Sequence, residues 1–161
     1  MKTERATGVR VVQGLPEEAW RAALRDLPGA TVFHTPEMAE VFGRTTGHRP
    51  ETWAALRDDR VLALLTPVRI ALRAGLARYL TTRAVAYGGI LRADGPEGDE
   101  GLDAILGAYG RGVDHAVLFT EVRHLRDPSA SRALSRNKIT VNARCAAGGH
   151  AGKSARSTCG L

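Results

Sequence analysis

Residues 52–65 read TWAALRDDRVLALL, two apolar runs (52–57 and 61–65) with Asp58 and Asp59 between them. Asp accepts the left-handed backbone of a tight two-residue loop, so the stretch predicts a β-hairpin and an antiparallel sheet. The second run continues past Pro67 as Val68, Ile70 and Leu72, alternating with Arg69, Ala71 and Arg73. Proline cannot donate to a strand ladder, so Pro67 predicts a sheet edge or a bulge.

Before the hairpin, residues 8–13 (GVRVVQ) predict a short strand. Pro16, Glu17 and Glu18 open a helix, because Pro suits the first turn and acids favour the positive end of the dipole. Its apolar residues Ala19, Trp20, Ala23, Leu24 and Leu27 recur at helical spacing, and Pro28-Gly29 ends the run. A second helix begins at Thr35-Pro36-Glu37, with Thr35 as cap, carries Met38, Val41 and Phe42 on one face, and stops near Gly47. Downstream, Gly75 turns the chain and residues 85–91 (VAYGGIL) predict an extended segment. A polar loop rich in Gly and acids, 92–101, leads to a helix bearing Leu102, Ile105, Leu106 and Tyr109. Residues 115–125 (HAVLFTEVRHL) predict the clearest strand, with Thr120 and Val122 on one face and Glu121 and Arg123 on the other. The order predicts an α/β (α+β) domain with a mainly antiparallel mixed sheet flanked by helices.

The net charge of +6 is not spread over this domain. Residues 1–127 hold 17 basic and 17 acidic side chains, whereas 128–161 hold six basic ones and no acid. A balanced body argues against a nucleic-acid-binding face on the domain. The tail, lacking aromatics, is expected to bind nucleic acid weakly at most and without sequence preference. It is also poor in large apolar residues, which predicts low order there. The first ten residues contain no apolar stretch of a secretory signal, and no run approaches the roughly 20 residues of a membrane helix. A cytoplasmic protein is expected.

Several segments together resemble the first half of the FemAB family, a GNAT-related group. They are FHTPEM (33–38), TGHRP (46–50), the hairpin ending in 61–67, YGGIL (87–91) and FTEVRHL (119–125). YGGIL followed some thirty residues later by FTEVR is the most specific pair; Met38 stands where the family usually has an aromatic. The resemblance implies a GNAT-like half-domain over 1–127 and an aminoacyl or acyl transfer to an amine, commonly on a peptidoglycan precursor. The donor in the parent family would be aminoacyl-tRNA or acyl-CoA. No cofactor is expected on this half, since no Gln/Arg-x-x-Gly-x-Gly/Ala acyl-CoA loop is present. Residues 128–161 fit no continuation of the family. With 20 Arg against 3 Lys, the composition suggests a GC-rich coding sequence, in which an out-of-frame tail can run on. A truncated, catalytically inert remnant or binding module is the alternative expectation, with tail-mediated nucleic-acid association a third.

The candidate substrate-binding residues are Tyr87, Gly88, Gly89, Glu121 and Arg123. Glycine permits close approach of a ligand to the backbone, or else marks a bulge. Glu121 and Arg123 share a strand face; Arg offers a fork to phosphate or carboxylate, though a mutually satisfied ion pair is the simpler reading. No catalytic base is assigned, and His124 lies on the opposite face. His34, His48 and His115 have no metal-ligand spacing, nor do Cys145 and Cys159, so no metal is expected. AGGHAGKS (147–154) nearly matches a phosphate-binding loop, but lacks the helix that must follow. The last expectation is self-association through an exposed strand edge, placed at residues 117–123.

Overall fold

The structure is a computed structural model that describes residues 8–71, 82–112, 117–124 and 139–143. The first elements are strand β1 (Arg10–Gln13), helix α1 (Glu17–Asp26), a 3-10 turn (Val32–His34) and helix α2 (Pro36–Gly43). Strands β2 (His48–Pro50), β3 (Trp53–Arg57), β4 (Arg60–Ala71) and β5 (Thr82–Arg92) follow. Helix α3 (Pro96–Gly112) then leads to strands β6 (Thr120–His124) and β7 (Ile139–Ala143).

The hairpin forms where the sequence predicts it. Asp58 and Asp59 have φ of 48° and 65°, and Arg57 faces Arg60 across the two-residue loop. One sheet results, ordered β1-β3-β4-β5-β6-β7, with β2 beside β3 along the same edge of β4. Pairing is antiparallel as far as β5 and parallel for β5–β6 and β6–β7. The domain is therefore the mainly antiparallel mixed α/β sheet that was expected.

Helices cover both faces, which explains why β3 and β4 read as nearly continuous apolar runs. On one face Trp20, Ala23 and Leu27 pack on Ala54, Leu56, Leu64 and Leu91. On the other, Ile105 and Tyr109 of α3 pack on Trp53, Ala55, Ala63, Leu65, Ala86 and Val122. Phe42 of α2 and Tyr87 rest on Val68, Ile70 and Val85.

Several boundaries differ from the sequence reading. Helix α3 starts at Pro96, inside the segment 92–101 read as a loop. The same proline-then-acid opening is present there, but its glycines suggested a loop. They serve packing instead: a Cβ on Gly98 would lie 1.8 Å from the Ala93 carbonyl oxygen, and one on Gly101 would lie 2.8 Å from Leu62 Cβ. Pro67 is not at an edge; β4 is central and the register shifts between Leu65 and Pro67, so the proline marks a bulge. Val41 is 55% exposed instead of sharing the packed face with Phe42, because α2 has only eight residues and meets the sheet through one side.

The last predicted strand is shorter than 115–125. Leu118 and Phe119 precede β6 and are exposed, while Thr120 and Val122 are buried. Nor is this strand an edge: β7 pairs with it in parallel from Thr120 opposite Ile139 to His124 opposite Ala143. The edge placed at 117–123 is thus corrected, since the segment 139–143 supplies the missing neighbour from within the tail. The remainder of 128–161 lies outside the described residues, including Cys145, Cys159 and the 147–154 motif, as do Gly75 and His115. None of the described helices is long and apolar enough to cross a membrane.

Candidate functional site

The candidate residues converge where β5 and β6 meet beneath the 3-10 turn and α2. In the β4–β5 ladder Leu65 faces Ile90 and Pro67 faces Ala86. Tyr87, Gly88 and Gly89 therefore stand against Thr66 alone, a bulge in which both glycines take positive φ, 84° and 94°. Gly88 is required for a close approach by protein groups: a Cβ there would lie 2.6 Å from His34 Cε1 and 2.8 Å from Thr31 Oγ1.

His34 is fully buried. The Trp20 indole N–H donates to its carbonyl oxygen at 2.7 Å, and the Thr31 backbone N–H donates to its Nδ1 at 3.1 Å. A ring nitrogen that accepts from a backbone amide carries no proton, so the imidazole is neutral with its proton on Nε2. The Thr31 hydroxyl lies 3.0 Å from the same Nδ1.

The Tyr87 ring stacks with Phe33 at 5.6 Å and with Phe42 at 5.4 Å between centroids, and Phe42 stacks in turn with His48 at 6.2 Å. Arg123 faces Tyr87 in the β5–β6 register and holds its guanidinium 5.4 Å from the ring centroid, a cation–π arrangement. The Arg123 fork is engaged by Glu121: Nε donates to Oε1 at 3.0 Å and Nη2 to Oε2 at 3.1 Å. Those hydrogen bonds raise the Arg123 pKa above its ordinary value. Tyr87, Glu121 and Arg123 thus form one contact group, with Gly88 beside it serving His34. Tyr87, Gly88, Gly89, Glu121 and Arg123 were named as candidates from the sequence. The sequence reading missed Phe33, His34 and Phe42 as their partners, although FHTPEM was noted as a helix entry.

Other polar groups are internally paired as well. Arg69 Nε lies 2.6 Å from Glu51 Oε1, and the Trp53 indole N–H donates to Glu51 Oε2 at 3.2 Å. The Tyr109 and Thr120 hydroxyls lie 3.1 Å apart. At the start of α3, Glu97 bridges Arg57 and Arg60, Glu100 binds Arg57, and Asp99 pairs with Arg92 at 2.8 Å. Among the described residues no group of three or more His, Cys, Asp or Glu could hold a metal. A cavity of about 420 Å³ opens elsewhere, between the end of β1 and β2.

Comparison with protein-family models, with curated proteins and with solved structures finds no match for this chain.

Proposed function

We propose that the chain carries the amino-terminal half-domain of a FemAB-type acyl or aminoacyl transferase acting on an amine acceptor, a peptidoglycan precursor in the parent family. The observation that carries this reading is a juxtaposition. YGGIL and FTEVR, the most specific pair in the resemblance, lie on adjacent parallel strands with Tyr87 opposite Arg123. Segments some thirty residues apart thus build one polar and aromatic group, as a shared substrate-facing surface requires. A cytoplasmic place of action suits a donor such as aminoacyl-tRNA or acyl-CoA.

The half-domain does not turn over alone. Glu121 is paired with Arg123, and His34 Nδ1 is held by Thr31. Neither is presented as a base to an incoming amine. The amino-terminal part of α3, where a phosphate-rich donor would meet the helix, carries Glu97, Asp99 and Glu100. There they are paired with Arg57, Arg60 and Arg92, which leaves an anionic ligand no unpaired cation among these residues. The same commitment of side chains favours a non-catalytic binding module as the second reading.

The test is incubation of the chain with aminoacyl-tRNA or acyl-CoA and a peptidoglycan precursor, together with titration of the precursor alone. Saturable binding of the precursor without transfer is expected. Transfer above a heat-inactivated control would refute the inert half-domain. Absence of precursor binding would remove the peptidoglycan assignment. Downstream coding DNA gives an independent check: a second FemAB-like half after a one-base shift would account for 128–161.

A further inference from the structure

Only one aspartate of the chain is followed directly by glycine: Asp94 precedes Gly95 in the turn that joins β5 to α3. In such a pair the backbone nitrogen of the glycine reaches the aspartate carboxyl most readily, because glycine puts no Cβ in the way. Asp94 and Gly95 are both exposed, and a Cβ on Gly95 would meet nothing within 4 Å. The approach to this nitrogen is therefore open.

The polar groups of the turn are uncommitted as well. Nearby cations are held by other acids: Arg92 pairs with Asp99, while Arg57 and Arg60 pair with Glu97 and Glu100. Among the described residues Asp94 has neither an ion pair nor a side-chain hydrogen bond, and the peptide group between Asp94 and Gly95 makes no backbone hydrogen bond. Its neighbours, by contrast, are anchored. The Ala93 N–H donates to the Leu62 carbonyl at 2.8 Å, and the Gly95 carbonyl accepts from the N–H groups of Gly98 at 3.1 Å and Asp99 at 3.3 Å. One free peptide plane thus lies between a fixed strand end and a fixed helix start.

We propose that Asp94–Gly95 is a site of spontaneous covalent modification, at which the folded chain converts aspartate to isoaspartate. The Gly95 nitrogen bonds to Asp94 Cγ, the carboxyl's hydroxyl leaves with the amide proton as water, and a succinimide ring closes. Water then opens the ring at either carbonyl. Opening at the former side-chain carbonyl restores aspartate. Opening at the backbone carbonyl leaves the chain running through Cβ and Cγ, with a free α-carboxylate beside it. This product has one extra backbone carbon between two anchored points. The surplus length strains the packing of α3 on the sheet, where Gly98 lies directly against Ala93. The inference goes beyond the transferase reading and does not depend on it.

The experiment incubates the whole folded chain for weeks at neutral pH and physiological temperature, beside a sample unfolded in guanidinium chloride. Peptides are then fragmented by electron transfer, which separates isoaspartate from aspartate of equal mass, and hydroxylamine traps the succinimide. Isoaspartate is expected at position 94 of the folded sample, ahead of Asp58, Asp59, Asp99 and Asp103. Gly95→Ala should slow its formation several-fold, since the added Cβ crowds the attacking nitrogen. If Gly95→Ala does not fold, the comparison of the folded and unfolded parent chain still decides. Pulse proteolysis in a urea series, read at the peptide containing residue 94, should show the isomerised chain unfolding at lower urea than the unmodified one. Isoaspartate at 94 in the unfolded sample alone, earlier accumulation at another aspartate, an undiminished rate in a folded Gly95→Ala, or equal urea midpoints for the two forms would overturn the inference.

Discussion

Gly88 shows how much can rest on one missing Cβ. Its φ of 84° already disfavours any other residue, and His34 and Thr31 occupy the space a methyl group would need. Gly88→Ala is therefore expected to cost on the order of 1–3 kcal/mol, read as a lower urea midpoint. A midpoint equal to that of the parent would show that the bulge relaxes freely. Tyr109 makes a different prediction. Burial, partly offset by the hydrogen bond to Thr120, pushes its hydroxyl from the ordinary 10.0 up to about 12. The unfolded chain then loses this proton before the folded one does. The stability involved is intact below pH 10 and declines as pH rises through 12. Tyr109→Phe should flatten the loss of stability over that alkaline window, as followed by urea titrations at stepped pH. An unaltered slope would mean that Tyr109 is not the group responsible. Glu121 and Arg123 were legible as a pair from their spacing of two on a strand. That Arg123 also lies against Tyr87 was not, because the contact depends on the β5–β6 register.

Among the elements, the hairpin and helix α3 contrast in legibility. The hairpin announces itself through two aspartates between apolar runs, and both adopt the positive φ that the turn needs. Asp58→Val is expected to cost about 1–2 kcal/mol, since a β-branched side chain is poorly accommodated in the left-handed region. Among the described residues Asp58 has no ion pair to lose, unlike Asp59, which meets Arg10 at 2.6 Å in an exposed contact worth little. Thermal unfolding of the variant checks the value, and an unchanged midpoint would contradict the turn geometry. Helix α3 was read as starting too late, because Gly98 and Gly101 resemble loop residues in sequence. Their role becomes visible only when the helix is laid on Ala93 and Leu62, where no larger residue fits. Trp53 and Tyr109 meet edge to face across the same interface, at 5.6 Å between centroids.

For the molecule as a whole, the sheet's completeness turns on β7. With Ile139–Ala143 in place, β6 has neighbours on both sides. Removing residues 128–161 should therefore uncover the outer side of β6 and promote pairing between chains. Light scattering across a concentration series is expected to rise for the 1–127 chain well above that of the full chain, and equal scattering would show that β7 protects nothing. At the opposite side of the sheet β1 is only four residues long and carries Arg10, features that discourage pairing. The hairpin, the three helices, most of the strands, the cap at Thr35 and the charge balance of 1–127 were legible in the amino-acid sequence alone. These depend on spacing, turn chemistry and composition, which are local. The chain's long-range pairing was needed to place Pro67 in a bulge, to bring a strand from the tail to β6, and to gather Phe33, Phe42 and Arg123 around Tyr87. Each depends on which strand lies beside which, and in what register, and such pairings between distant residues leave no periodic trace in the sequence.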